Sequence, residues 1–482
     1  MFESFQSFIA ALRESGELRE ISEPLDPRLE ITEVADRCMK MPGGGPALLI
    51  QNPKGFDIPV AINCFGSKRR MAMALGVSDV EQIAAEIGDL IKSEIPRSLS
   101  EKVGMLKKLM GVAKAAPKTV SSGDCQQVVM MGDEVDLTKL PILTCWPQDG
   151  GPFITLPLVF THDPRTGKRN VGMYRIQIYD KRTTGMHWQM HKTGAEHERL
   201  ARESHEKIQA CVVLGGDPAI TFSAIAPLPP GIDEMMFAGF LRKQGVSMVK
   251  AKTADILVPA DAEIVIEGEI DPTERRIEGP FGDHTGYYSM PEPFPVFHVK
   301  CVTMRSRPVY PATIVGIPPM EDAYLGKAVE RVFLPLVKLM VPEMVDMNLP
   351  VDACFHNMAF VSIRKRYPGH AFKVMNALWG LGQLMFTKFI FVFEHDVDVQ
   401  DMRDVIFRIG ANCDPSRDTL IVKGPLDHLD HAAPEIGFGG KIGFDCTHKI
   451  AAEGYNREWP PLITMSEDVK RRVDAVWPKL GL

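Results

Sequence analysis

Residues 170–180 read Asn-Val-Gly-Met-Tyr-Arg-Ile-Gln-Ile-Tyr-Asp. Successive side chains of an extended segment point to opposite faces. Tyr174, Ile176 and Ile178 therefore form one row, and Met173, Arg175, Gln177 and Tyr179 the other. The pattern predicts a β-strand whose charged residue, Arg175, sits opposite the apolar row. Asn170 has the opposite parity to Arg175. The two can serve one site only if the strand begins or bulges near Gly172. Otherwise Arg175 is an ordinary exposed arginine on a half-buried strand.

The same texture extends to both sides. ITLPLVFTHD (154–163), IQACVVLGG (208–216), AEIVIEGEI (262–270) and FPVFHVKCVTM (294–304) are strand-like pieces separated by Gly and Pro clusters. A middle region of residues 119–322 thus reads as a barrel or closed sheet with a few inserted helices. Residues 1–118 mix helix and strand patterns. Phe2, Phe5, Phe8, Ile9 and Leu12 recur at helical spacing, 46–52 and 59–65 are short apolar runs, and 79–92 carries a helical stripe. Residues 98–118 hold five lysines and predict a solvated linker helix. Residues 323–482 alternate strand and helix: MAFVSIRK (358–365), a helix at 371–383, KFIFVFE (388–394), a helix at 400–410, then TLIVKG (419–424). That order predicts βαβαβ with a parallel sheet, followed by a polar tail ending in a helix over 466–477.

Composition narrows the function classes. The 482 residues are 45% hydrophobic and 24% charged, which is globular rather than disordered. A net charge of −7 disfavours a nucleic-acid binder, which carries a basic face. No long apolar run suggests a membrane span, so peripheral contact is the most to expect there. The start of the chain lacks a basic stretch ahead of an apolar core, and the nine cysteines are scattered without a C-x-x-C pair. Reduced thiols in a cytoplasm are therefore expected. Walker A, G-x-G-x-x-G, G-x-S-x-G and H-E-x-x-H signatures are absent.

Three further constellations could carry chemistry. His187-Trp-Gln-Met-His191-Lys192-Thr193-Gly194 places two histidines four residues apart, a spacing that could ligate a metal from one helix face. Gly185 and Gly194 flank it, which suggests a loop opening onto a helix, where free N–H groups favour an anion. Glu278-Gly-Pro-Phe-Gly-Asp283-His-Thr-Gly-Tyr-Tyr288 puts two carboxylates around a tight turn. They are solvated if the turn is only a turn. Held in one pocket beside an arginine, they could store and deliver a proton. Glu234 begins a helical pattern after a Pro-rich lead and by itself is an ordinary dipole complement.

Together these segments resemble the UbiD family of reversible (de)carboxylases. The matches are N-V-G-M-Y-R (170–175), W-Q-M-H (188–191), E-M-M-F-A-G (234–239), E-G-P-F-G-D-H-T-G-Y-Y (278–288) and F-T-K (386–388), with Asp445, Thr447 and Lys449 near the tail. The resemblance implies a multidomain α/β (α+β) fold. Its parts are an N-terminal α/β domain, a central split β-barrel that binds flavin, and a C-terminal α/β domain making oligomer contacts. It implies prenylated FMN as cofactor, Mn²⁺ or Mg²⁺ held by Asn170, His191 and Glu234, and a K⁺ site nearby. Oxygen and imidazole donors suit those divalent ions. Met173, Tyr174, Arg175, His187, Trp188, Gln189, Lys192, Thr193 and Lys388 fall in cofactor-contacting segments, and Arg175, Glu278 and Asp283 match the catalytic network. His187 and Thr193 stand where some members have Arg and Gly.

The implied reaction is non-oxidative decarboxylation of an aromatic carboxylic acid, with Asp283 as proton donor. Loss of CO₂ from an sp² carbon leaves a carbanion that no ordinary side chain can delocalise, so a cofactor must act as electron sink. The leading substrate is 4-hydroxy-3-polyprenylbenzoate or a related acid of ubiquinone biosynthesis. A dihydroxynaphthoate-type acid of the menaquinone route and a small phenolic or acrylic acid compete with it. The intact Arg175, Glu278 and Asp283 set argues against a non-catalytic flavin scaffold. The expected partners are a flavin prenyltransferase that supplies the cofactor and further copies of the chain, as a dimer or hexamer.

Overall fold

The computed structural model describes residues 2–91, 114–189, 192–229 and 231–481. Most of the lysine-bearing stretch expected to form a linker helix lies outside these residues, as does His191.

The first helix, Phe5–Glu14, follows from its apolar spacing: Phe5, Phe8, Ile9 and Leu12 are its buried residues. Ser4 caps it, its hydroxyl accepting from the Ser7 N–H at 3.2 Å, which satisfies one of the otherwise free amides of the first turn. This face packs on a four-stranded sheet ordered Leu18–Ile21, Ala47–Ile50, Val60–Ile62, Tyr310–Ala312. The last strand comes from the far end of the middle region and pairs in parallel with Val60–Ile62. The chain therefore returns to its N-terminal sheet before entering the C-terminal domain. Glu321 fastens that return, accepting from the Phe65 N–H at 2.6 Å and the Thr313 hydroxyl at 2.7 Å. The helix it opens, Glu321–Met340, packs on Glu81–Ile91 and on the strand Met344–Asn348, and so joins the outer domains.

The middle region is built on one large sheet. Its order is Thr183–Gly185, Glu292–Met304, Ile264–Glu278, Ile208–Leu214, Leu158–His162, Arg169–Met173, and Val128–Met131 also pairs with Glu292–Met304. The Ile264–Glu278 and Glu292–Met304 pair is a long hairpin with register shifts at Glu267/Gly268 and Ile270/Arg275. Such bulges bend and twist a strand pair. The carboxylate-bearing turn is the tip of this hairpin, starting at the strand's last residue, Glu278.

In the C-terminal domain the sheet order is Met344–Asn348, Met358–Ile363, Phe389–Glu394, Phe438–Cys446, Thr419–Pro425. Helices His370–Trp379 and Met402–Asn412 occupy the expected connections. One expectation is corrected. TLIVKG is not the third parallel strand but an edge strand, antiparallel to Phe438–Cys446. The parallel partner of Phe389–Glu394 is Phe438–Cys446 itself. Its three glycines, at 439, 440 and 443, obscure the apolar alternation by which strands are recognised.

Candidate active site

The strand carrying Asn170 stops at Met173, and pairing resumes only at Ile176–Gln177, in a different two-stranded sheet. Tyr174 and Arg175 occupy the break. This interruption removes the parity conflict between Asn170 and Arg175 and sets them beside two adjoining cavities, both lined by Met173, Tyr174 and Lys192.

The smaller cavity, about 370 Å³, has Arg175, His187, Gln189, Phe281, Asp283 and His284 in its wall. Arg175 is 8% exposed rather than a surface residue, and the Glu278 carboxylate facing it is fully buried. Nε and Nη2 of Arg175 donate to the two Glu278 oxygens at 2.8 and 3.0 Å, a fork-to-fork pair. Nη1 donates to Oδ2 of Asp283, and Nη2 also to the Ser289 hydroxyl at 3.0 Å. Burial pushes the Glu278 carboxyl up, but the His187 hydrogen bond and Arg175 outweigh it and bring it down to about 2. Burial likewise raises Asp283, and the His284 hydrogen bond and the Arg175 charge outweigh it, leaving Asp283 well below the usual carboxylate range.

The turn around these groups is fixed from several sides. Gly279 has φ +92°, a conformation only glycine adopts without strain, and its N–H donates to Oε1 of Gln177 at 2.8 Å. Asp149 accepts from the Gly282 N–H at 2.8 Å. Gln177, Ser289 and Asp149 were not singled out from the sequence. For Gln177 the signal was present, since it shares strand parity with Arg175.

The larger cavity, about 770 Å³, is lined by Asn170, Lys192, Thr193 and Glu234 among others. Glu234 opens the helix Glu234–Arg242, whose cap Asp233 accepts from the Met235 and Met236 N–H groups at 2.8 and 3.0 Å. Asp233 is also paired with Arg169 at 2.8 Å, which holds this helix end against the strand carrying Asn170. Oε2 of Glu234 accepts from the Val171 N–H at 3.2 Å. Burial pushes the Glu234 carboxyl up to about 7. Buried Asn170 leaves its amide nitrogen without a partner among the described residues. A buried carboxylate with an amide beside it suits a hard cation, so both residues fit the metal role expected of them. Lys192, just ahead of the helix Thr193–Ser204, is pushed down by burial, and no carboxylate pairs with it among the described residues. A phosphate would compensate it.

The other expected cofactor contacts distribute unevenly. Tyr174 and Trp188 are buried and meet edge to face at 6.5 Å, with the Trp188 indole N–H unpartnered among the described residues. Gly194 leaves room for that indole: a Cβ there would lie 2.8 Å from its nitrogen. His187 stacks on Phe294 at 4.2 Å, and its Nδ1 lies 3.2 Å from Glu278. It sits on coil rather than on the helix that the four-residue spacing allowed. The next described helix begins only at Thr193. Lys388 lines neither cavity and is paired with Asp430 at 2.9 Å. Asp445, Thr447 and Lys449 form a buried cluster of their own, with Lys449 2.9 Å from Asp445.

Three profiles of the 3-octaprenyl-4-hydroxybenzoate carboxy-lyase family match the chain: the N-terminal domain over residues 9–91, the Rift-related domain over 118–318 and the C-terminal domain over 323–446. The chain belongs to the UbiD family. An uncharacterized protein of Aquifex aeolicus is 50% identical over 482 residues, covering 100% of this chain and 99% of its own. The vanillic acid decarboxylase of Sedimentibacter hydroxybenzoicus in its closed form superposes with a TM-score of 0.87 at 25% identity, over 99% of both chains. Its open form gives 0.79. The UbiD-class enzyme HmfF of Pelotomaculum thermopropionicum, in complex with FMN, gives 0.78 at 28% identity, over 95% of this chain and 97% of that one. This UbiD-family chain is accordingly a carboxy-lyase with the mixed α/β multidomain architecture of its class. Among its described residues no helix is long and apolar enough to cross a membrane.

Proposed function

We propose that this UbiD-family chain decarboxylates a hydroxylated aromatic acid with prenylated FMN and a divalent metal. The observation carrying this reading is the buried Arg175, Glu278 and Asp283 network in the wall of a cavity that adjoins a second one bearing Asn170, Glu234 and Lys192. HmfF is a UbiD-class relative described in complex with prenylated FMN. When bound, the prenylated flavin supplies the electron sink for the departing carboxylate's electrons. Asn170 and Glu234 would hold Mn²⁺ or Mg²⁺, with His191 as third ligand, and Lys192 would meet the flavin phosphate. Tyr174, Trp188 and the Met173 backbone would border the flavin. Lys388 is instead engaged by Asp430 at 2.9 Å, outside both cavities.

Glu278 anchors Arg175 through both oxygens, and Arg175 presents the Asp283 carboxyl to the cavity. Asp283 would place a proton on the carbon that loses CO₂. The small cavity is lined by His284, His356, Asp427 and Asp322 and also by Phe281, Phe355, Phe386 and Leu429. A volume of about 370 Å³ lies near the lower end of ligand pockets, about 300–1,000 Å³. That volume favours a one- or two-ring hydroxylated acid, of the dihydroxynaphthoate or small phenolic type, over 4-hydroxy-3-polyprenylbenzoate. The vanillic acid decarboxylase named above acts, by its name, on such an acid.

Self-association is the remaining part of the reading. The terminal helix Glu467–Val476 buries no residue, and Ile463, Met465 and Trp477 around it are 99%, 60% and 52% exposed. A further copy of the chain would cover them. The deciding experiment is co-expression with a flavin prenyltransferase, followed by spectra and turnover on a panel of aromatic acids. Modified flavin and release of CO₂ from hydroxylated benzoates or naphthoates is the expected result. Exclusive turnover of polyprenylated benzoates would overturn the substrate class, and retention of no flavin would overturn the cofactor.

A further inference from the structure

Both oxygens of Asp283 are engaged. Oδ2 accepts from Arg175, while Oδ1 accepts from the His284 backbone N–H at 2.7 Å and lies 2.8 Å from Nδ1 of the same residue. A carboxyl held this way is ionised. Decarboxylation nevertheless consumes one proton per CO₂ released, at this carboxyl. The group able to store that proton is the His284 imidazole.

The surroundings of His284 extend beyond Asp283. Its Nε2 is buried and has no hydrogen-bond partner among the described residues. His284, His356 and Asp427 each offer a nitrogen or oxygen atom, all within 4.8 Å of one another. One water with two hydrogen bonds of about 2.8 Å spans such a gap. His356 and Asp427 are paired at 3.0 Å and belong to the C-terminal domain, Phe355 stacks on the His284 ring at 5.9 Å, and Asp322 opens the domain-joining helix nearby. Among the described residues, the positive groups facing this cavity are Arg175, behind Asp283, and Lys192. Burial pushes His284 down, but the Asp283 hydrogen bond and charge, with Asp427 and Asp322, outweigh it and raise it to about 9.

We propose that His284 is the proton-supplying partner of Asp283 and is refilled from solvent through His356 and Asp427. This inference rests on the decarboxylase reading. The steps balance. The imidazolium passes its Nδ1 proton to Oδ1 of Asp283, giving neutral imidazole and a carboxylic acid. The acid protonates the carbon that has lost CO₂ and returns to carboxylate. The ring keeps its Nε2 proton, so it turns about Cβ–Cγ to bring the bare Nδ1 toward His356, takes a solvent proton handed along Asp427 and His356, and turns back as the imidazolium. In this scheme His284 acts on the reaction through Asp283.

The test uses the flavin-loaded protein and its His284→Gln and His356→Gln variants. Wild-type kcat should hold at neutral pH and fall as pH rises through about 9, where His284 loses its proton. His284→Gln should lower kcat about 10²-fold, leave KM unchanged and abolish that alkaline limb, in line with the usual worth of a positioned proton donor. His356→Gln, which leaves Asp283 untouched, should lower kcat at unchanged KM and enlarge the solvent deuterium isotope effect. Should His284→Gln fail to fold, the His356→Gln comparison decides alone. Wild-type kcat and pH profiles in the variants would overturn the relay, as would a change in KM alone, which marks a substrate anchor. Activation by added Zn²⁺ that requires His356 would replace it with a metal site. Histidine-selective NMR of the flavin-free protein reads His284 independently of turnover: titration near 9 supports the relay, and titration below 7 overturns it even if no acid is decarboxylated. An inactive wild type on every acid overturns only the decarboxylase reading.

Discussion

At the scale of single residues, Arg175 carries the most consequence. Two carboxylates depend on one guanidinium, and Glu278 has no exposure to water through which to escape. Arg175→Ala should therefore cost about 3–5 kcal/mol of stability, because it strands buried charge, and should abolish turnover. Arg175→Lys should recover part of the stability but little activity, since an ammonium cannot make the forked pair with Glu278 while reaching Asp283. Calorimetry and kcat together check both variants. The pH dependence has two sides. Glu278 and Asp283 lie below their ordinary values, so their stabilisation is complete above about pH 4 and is lost as pH falls toward 2. His284 lies above its ordinary value, so its stabilisation is complete below about pH 6.5 and is lost as pH rises through about 9. The thermal midpoint should decline at both extremes, and His284→Gln should flatten the alkaline decline.

At the scale of elements, the break at Tyr174–Arg175 and the turn at 278–288 build the site. The quoted sequence showed that Asn170 and Arg175 conflict in a continuous strand, and the structure resolves this by ending the strand at Met173. Legibility failed where the signal was not periodic. Gln177 and Asp149 hold the turn through hydrogen bonds to Gly279 and Gly282, 102 and 133 positions away, and Ser289 ties it to Arg175, 114 positions away, which no local pattern encodes. His356 and Asp427 reach the cavity from loops of another domain. The glycine-laden strand Phe438–Cys446 was unreadable for the reverse reason: its side chains are too few to show an alternation. Gly279→Ala should destabilise by about 1–2 kcal/mol, because φ +92° brings a Cβ against the following carbonyl. It should also lower kcat more than it raises KM, since it moves Glu278 and Asp283 relative to each other. Steady-state kinetics separates the two.

At the scale of the whole molecule, the family profiles cover residues 9–91, 118–318 and 323–446. What the sequence concealed is that the parts interlock. Tyr310–Ala312 completes the N-terminal sheet, and Glu321–Met340 packs on elements of both outer domains. The carboxylate of Glu321 satisfies one N–H and one hydroxyl at this junction. Glu321→Ala should therefore cost about 1–3 kcal/mol for each group left unpaired. It should lower the first thermal transition without altering the spectrum of bound flavin.

The most direct test of the central claim is Asp283→Asn in protein co-expressed with a flavin prenyltransferase. The account predicts a variant that retains flavin and divalent metal in wild-type amounts yet loses decarboxylation by at least about 10²-fold, the usual worth of a general acid. Decarboxylation at the wild-type rate by that variant would contradict it.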